Sequence, residues 1–246
     1  MEEIKSSKEL KAIARERLLG NYGQLILAYF IMEVIITVIL DLVELQSGSY
    51  SLIYWAIYIL LCLLTAVFLV GQYWMYRKLL RGDKPVLKDM WNGFSHHPDK
   101  AILINAILFG LVFACCIPFI LSVVLWAAMK SYYMLPFVAV TFIFAMIACV
   151  YISLTFGQAL YLLMDYPEES ATELLKHSAR MMKGHKFQLF YLNISFIGIM
   201  LAVVCSFGIG ILWAYPYMTC TRTLFYEELY AREPAKHIDI VVENEI

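Results

Sequence analysis

Apolar residues fall into six long runs along the chain, separated by stretches that carry most of the charged side chains. The runs cover residues 23–45, 51–76, 101–128, 132–163, 187–206 and 210–229. A helix needs about 20 apolar residues to cross a hydrocarbon layer of about 30 Å. Each run therefore predicts a transmembrane helix, and the fourth is so long that it must tilt, bend or project beyond the bilayer.

The joins between the runs alternate in length and charge. Joins 46–50, 129–131 and 207–209 are short, whereas joins 77–100 and 164–186 are long and charged. Short joins link antiparallel neighbours, so the pattern predicts an all-α membrane domain of six transmembrane helices in three hairpins. The hairpin units cover about 4–80, 84–164 and 167–231, and a tail follows over 232–246.

A short amphipathic segment precedes each predicted hairpin. Ser6 with Glu9 and Ser170 with Glu173 have the spacing of a helix capping box, and Pro85 is typical of a helix start. Each segment predicts an interfacial helix on the cytoplasmic membrane surface. The short matches between units, such as Gly71-Gln72 with Gly157-Gln158, are consistent with a threefold repeat and equally with chance.

Composition and charge place the protein in a membrane and give its orientation. The chain is 62% hydrophobic and 16% charged, far from the soluble range, and its net charge of −1 gives no reason to expect nucleic acid as a partner. Eighteen of the 19 Lys and Arg residues lie in the N-terminal segment, the two long joins and the C-terminal stretch. The positive-inside rule predicts that both termini are cytoplasmic.

Several segments together resemble a known family. They are VGQYWMYRKLLRGDKP, KDMWNGF, LLMDYPEESATELLKHSARMMKGHKFQLFYLNISFIGIM, FGIGILWAYPYM and LFYEELY. In these segments the chain is similar to the bacterial integral-membrane family called domain of unknown function 975. The resemblance implies a multi-pass protein of the bacterial plasma membrane and no established activity. Family members often carry Ile-Pro-Gly in the fourth run, where this chain reads CVYISLTFGQ, so the resemblance does not carry a helix break over to this chain.

Motifs for enzyme chemistry do not occur in the sequence. There is no H-E-x-x-H zinc helix, G-x-S-x-G nucleophile elbow, P-loop or glycine-rich dinucleotide turn. The six cysteines lie within apolar runs without metal-type spacing. We therefore expect a protein that is not an enzyme and that holds no cofactor or metal.

The first run carries polar residues that share one helix face, with Tyr29, Glu33, Thr37, Asp41 and Glu44 at steps of four, four, four and three. Glu33 is expected about 12 Å deep, where a carboxylate needs a partner or a proton. Arg222 in the sixth run is the candidate partner. Gln72 and Gln158 are the other candidates for an intramembrane polar site. The alternatives are that Arg222 extends to the headgroups and that Glu33 is purely structural.

Residues 177–190, HSARMMKGHKFQLF, place cations and imidazoles between two apolar runs. His177 and His185 have no third ligand at a suitable spacing, so Arg180, Lys183 and Lys186 are interpreted as contacts to anionic lipid headgroups.

Two classes of function remain open from the sequence, and a third, an intramembrane enzyme, is disfavoured because no catalytic constellation is found. The first is a non-enzymatic transport or export component, or a membrane subunit of such a system with other membrane subunits as partners. The second is a lipid-interacting or scaffolding membrane protein. In both classes the lipid bilayer is the immediate partner.

Overall fold

The computed structural model describes residues 5–49, 51–95 and 97–233, so the predicted tail 232–246 lies outside the described residues beyond position 233. Within these ranges the chain is helical, without a strand, as the sequence predicts. The helices are α1 (Ser7–Leu18), α2 (Tyr22–Ser47), α3 (Leu52–Arg81), α4 (Asn92–Ser95), α5 (Pro98–Met129), α6 (Leu135–Phe156), α7 (Ala159–Asp165), α8 (Ala171–Met181), α9 (Lys186–Ile194), α10 (Ile197–Cys205) and α11 (Ile211–Tyr230). Two 3₁₀ turns lie at Leu87–Trp91 and Tyr132–Met134.

Five helical segments among the described residues are long and apolar enough to cross a membrane. They are Tyr22–Ser47, Leu52–Arg81, Pro98–Met129, Tyr132–Asp165 and Lys186–Cys205. The helix of the sixth predicted crossing, α11, is not among them. It carries Arg222, Glu227 and Glu228, and half of its residues are buried against neighbouring helices rather than exposed. A helix shielded in this way can carry polar residues that a lipid-facing helix cannot.

Two of the long segments are interrupted, and in each case a side chain from another helix satisfies the backbone at the break. The fourth segment breaks at Gly157–Gln158, between α6 and α7, where the Ser178 hydroxyl donates to the Thr155 carbonyl at 2.9 Å. The fifth breaks between α9 and α10, where Lys11 Nζ donates to the Ser195 carbonyl at 2.7 Å. A free carbonyl inside a membrane is costly, so these donors stabilise the breaks.

The predicted leading segments form helices with the predicted caps. Ser6 caps α1 and Ser170 caps α8, each in a complete capping box, whereas the second leading segment is only the 3₁₀ turn Leu87–Trp91 followed by α4. For α1 and α8 the expectation that the apolar face rests on the membrane is wrong, whereas Trp91 and Phe94 of the second segment are exposed. Leu10, Ala14 and Leu18 of α1 are buried against protein, and so are Leu174, Ser178 and Met182 of the α8 region.

The second and third leading segments each pack against the helix just before them in the chain, and the first packs against the last described helix. We call this pattern a circular order. The turn Leu87–Trp91 and α4 pack on α3, α8 packs on α7, and α1 packs on α11 at the far end of the chain. The first of these contacts is backbone to backbone, because a Cβ built at Gly71 would lie 1.8 Å from the Met90 carbonyl oxygen and one at Gly93 would lie 2.0 Å from that of Val67. The circular order brings the ends of α3, α7 and α11 together.

The buried core occupies one end of the molecule, which we call the polar end. It contains residues 66–79 of α3, 152–163 of the α6–α7 segment and 214–229 of α11, together with the leading segments. The long helices pack in consecutive pairs, α2 with α3, α5 with α6, and α10 with α11. Away from the polar end these pairs expose large apolar side chains, including Leu45, Leu52, Val140 and Ile147. Exposure of this kind fits a lipid environment.

Candidate functional site

The predicted polar face of α2 points outward. Glu33, Thr37 and Asp41 are exposed, and only Tyr29, one turn before Glu33, packs inward with its ring stacked on Tyr215 at 4.1 Å. The polar stripe therefore lies on the outside of the described fold. The regular spacing along α2 correctly predicts that these residues share one face of the helix. It does not predict whether that face packs on other helices of the chain or lies on the outside of the fold.

The hypothesised pair of Glu33 with Arg222 does not form. Arg222 is exposed, and its Nε donates to Asn193 Oδ1 of α9 at 3.1 Å. The physical reason is position along α11. Tyr215, near the start of α11, is the residue that meets α2, whereas Arg222 lies about 10 Å further along the helix axis and faces α9.

The two glutamines are buried at separate places. Gln72 accepts a hydrogen bond from the Tyr215 hydroxyl at 2.7 Å, and its amide nitrogen lies 3.6 Å from the Met32 sulfur. Gln158 is buried in the break between α6 and α7. The six residues predicted to form one intramembrane site therefore divide into an exposed stripe, two separate buried amides and the outward-facing Arg222.

A charged cluster that the sequence reasoning missed connects three helices at the polar end. Arg77 Nη2 of α3 donates to Asp165 Oδ1 of α7 at 2.6 Å, and Arg77 Nε lies 2.7 Å from Glu227 Oε1 of α11. The Tyr226 hydroxyl donates to the other oxygen of Asp165 at 2.6 Å. The Arg77 and Asp165 side chains are only 5% and 9% exposed. We call Arg77, Asp165, Tyr226 and Glu227 the charge cluster.

The residues of this cluster are visible in the sequence, but their local context has two interpretations. Arg77 belongs to the long charged join 77–100, and Asp165 belongs to the join 164–186. Both lie at the end of an apolar run, where a charge is as consistent with the aqueous surface as with a buried pair. Only the convergence of α3, α7 and α11 distinguishes the two cases.

A second group of ionisable residues surrounds His177. Its Nδ1 lies 3.1 Å from Glu169 Oε2, and its Nε2 lies 2.9 Å from Glu233 Oε1. The Tyr166 hydroxyl donates to Glu233 at 3.2 Å, and burial, together with the charge of Glu233, raises the pKa of Tyr166 above its usual range. His177 therefore lies between two carboxylates, with one at each ring nitrogen.

His177 forms part of the wall of a cavity of about 440 Å³ at the polar end. The walls come from the join between α7 and α8, from α8 and the turn that follows it, and from the end of α11 with the residues just after it. They consist of Tyr166, Glu169, His177, Arg180, Met181, Lys183, His185, Leu229, Arg232 and Glu233. Two of the three predicted headgroup contacts, Arg180 and Lys183, line this cavity. The third, Lys186, lies instead over the ring of Tyr151, with Nζ 4.1 Å from its centroid. We call this space the basic cavity.

The fold and this site define a class: an all-α protein with several helices able to span a membrane, a buried charge cluster and a basic cavity at one end. The family model described as "Protein of unknown function (DUF975)" matches residues 1–233. The chain therefore belongs to this family, which confirms the resemblance seen in the sequence. No curated protein and no solved structure matches the chain.

Proposed function

We propose that the protein is a non-enzymatic component of the bacterial plasma membrane that binds anionic lipid headgroups in the basic cavity. In this proposal both termini lie in the cytoplasm and the polar end faces the inner leaflet. The observation that carries the proposal is the gathering of Arg180, Lys183 and His185 around one open cavity beside apolar, lipid-compatible surfaces.

The charges of the cavity support an anionic ligand. Its two acidic residues, Glu169 and Glu233, are both engaged by His177. Neither Arg180 nor Lys183 forms an ion pair within the described part of the chain. Arg and Lys bind phosphate through charge-assisted hydrogen bonds, and each cation near an anionic membrane surface contributes about 1 kcal/mol.

The test compares two pairs of substitutions of equal charge. Arg180→Gln with Lys183→Gln removes two cations from the cavity, and Lys84→Gln with Lys88→Gln removes two exposed cations from the join between α3 and α5. Native mass spectrometry of the purified protein counts bound phosphatidylglycerol against phosphatidylcholine. At about 1 kcal/mol for each cation, the cavity pair should weaken phosphatidylglycerol binding by about 30-fold, whereas the control pair changes it little. Equal losses in the two pairs, or no loss in either, would overturn the proposal.

A second candidate function, a membrane subunit of a transport or export system, rests on the outward face of α2. Carboxylates exposed at membrane depth are costly and usually face other protein, so Glu33 and Asp41 favour a neighbouring subunit. Native gel electrophoresis of mild membrane extracts tests this. A complex larger than the single chain should dissociate in Glu33→Gln with Asp41→Asn and persist in the loop control Asp83→Asn. Migration of the wild type as a single chain counts against this candidate.

A further inference from the structure

The third pair of long helices is α9–α10 with α11, and the first pair is α2 with α3. Measured from a contact that the two pairs share to the turn at the end of each pair, the third pair is much shorter. Tyr29, Gln72 and Tyr215 meet at that point, through the stacked tyrosine rings and the hydrogen bond from Tyr215 to Gln72. From there α2 continues about 27 Å to Ser47 and α3 about 30 Å to Leu52, at 1.5 Å for each residue. In contrast, α11 continues only about 6 Å to Ile211.

Tilting of the helices does not remove this difference. The Arg77–Glu227 contact lies further along both helices than Gln72–Tyr215, so α3 and α11 run in the same direction. Measured from Arg77–Glu227, the tip of α3 is about 38 Å away and that of α11 about 24 Å. To bring the tips to one level, α3 would have to lean about 50° from the membrane normal even if α11 stood upright, and more if α11 leaned as well, which is beyond the 0–40° range of transmembrane helices.

The turn of the third pair is also more apolar than the other two turns, although exposed apolar side chains flank all three, with Leu52 89% exposed beside the first turn and Tyr133 95% exposed beside the second. Gly48 and Ser49 lie at the first tip, and Lys130 and Ser131 lie at the second. The third tip contains Phe207, Gly208 and Ile209, with Phe207 97% exposed and Ile209 65% exposed. Exposed apolar side chains of this size are favourable in hydrocarbon and unfavourable in water.

The backbone amides of the third tip are all paired within the tip. Every amide from Ser206 to Ile211 donates to an acceptor between Ala202 and Gly208, and the amide of Gly210 uses the Ser206 hydroxyl at 2.9 Å. Gly208 has a φ of +86°, a conformation that the turn requires and that glycine adopts without strain. Pairing of these amides lowers the cost of placing the turn in hydrocarbon.

We propose that the third pair is re-entrant: it enters the membrane from the side of the polar end, turns at Phe207–Ile209 within the hydrocarbon and returns to the same side. The chain then crosses the membrane four times, through α2, α3, α5 and the α6–α7 segment. This topology explains why α11 need not be as apolar as a crossing helix. It also leaves both termini on one side, so it does not depend on the proposed headgroup site.

Cysteine accessibility tests the topology. All six native cysteines are replaced by alanine, and single cysteines are introduced as Ser49→Cys, Ser131→Cys and Ile209→Cys. A membrane-impermeant maleimide is applied to intact cells and, separately, to inverted vesicles. We expect Ser49→Cys and Ser131→Cys to be labelled from one side, and Ile209→Cys to be labelled at least tenfold more slowly from both. Denaturation in detergent before labelling confirms that each thiol is present and reactive.

A chain that keeps only the native Cys205 is a second reporter, because Cys205 is exposed near the same tip and needs no new side chain. It should behave like Ile209→Cys. Labelling of Ile209→Cys or Cys205 from the Ser131 side, at a rate close to that of Ser131→Cys, would show that the pair crosses and would overturn the proposal.

Discussion

Replacing Arg77 by Met should be among the most damaging single substitutions in the protein. Arg77 is the one cation in the charge cluster, and it lies within 2.7 Å of oxygens of both Asp165 and Glu227. Methionine fills a similar volume but removes the ion-pair partner of both carboxylates at the junction of α3, α7 and α11, where only the exposed Arg81 remains as a counter-charge near Glu227. Only Asp165 keeps a donor, the Tyr226 hydroxyl.

The expected magnitude follows from the burial of the pair. Removing one partner of a buried ion pair costs about 3–5 kcal/mol, whereas an exposed charge contributes about 0–1 kcal/mol. Arg81, one turn later on α3, is exposed and provides the matched control Arg81→Met. For a protein of this length, 3–5 kcal/mol corresponds to a fall in melting temperature of about 6–20 °C.

The assay is thermal unfolding of the detergent-purified variants, followed by size-exclusion chromatography after heating. The double variant Arg77→Met with Asp165→Asn should lose less melting temperature than the two single variants lose together. The reason is that the uncharged amide in place of the Asp165 carboxylate no longer needs the guanidinium of Arg77 as a counter-charge. If Arg77→Met melts within 2 °C of Arg81→Met, or if the two losses are additive, the charge cluster does not stabilise the junction as we describe.

Two further substitutions test how the leading segments are held. Gly71→Ala places a Cβ within 1.8 Å of the Met90 carbonyl oxygen and should lower the melting temperature by several degrees. The control Gly110→Ala has open space around it and should leave the melting temperature unchanged or slightly higher. Similar melting temperatures for the two variants would contradict the backbone contact. Lys11→Met removes the donor to the Ser195 carbonyl and should lower the free energy of unfolding by about 1–3 kcal/mol in the same assay. Lys8→Met, at an exposed position, is the control and should have little effect. If Lys11→Met also has little effect, Lys11 does not stabilise the break between α9 and α10.

Local sequence signals were sufficient for the helices and their caps. The apolar runs gave α2, α3 and α5 within a few residues, and the Ser6 and Ser170 capping boxes form as their spacing indicates. Both signals depend on neighbouring residues of one segment.

Contacts between segments could not be predicted from the sequence of any one segment. The break at Gly157 contains no proline, and it is held by Ser178 from another helix. The direction in which Glu33 points and the burial of Arg77 depend on how α2 and α3 pack, which periodicity within one helix does not specify. The spacing of His177 and His185 suggested a shared face, but the partners of His177 are Glu169, eight residues before it, and Glu233, 56 residues after it.

The packing of α1 on α11 sets an order of events during synthesis. Lys5 pairs with Glu228, so α1 contacts a helix that is synthesised more than 200 residues later. At 5–20 residues per second, α1 waits about 10–45 s for its partner. During that interval its apolar face, Leu10, Ala14 and Leu18, has the membrane surface as the available cover. In the finished protein the same face is covered by α11.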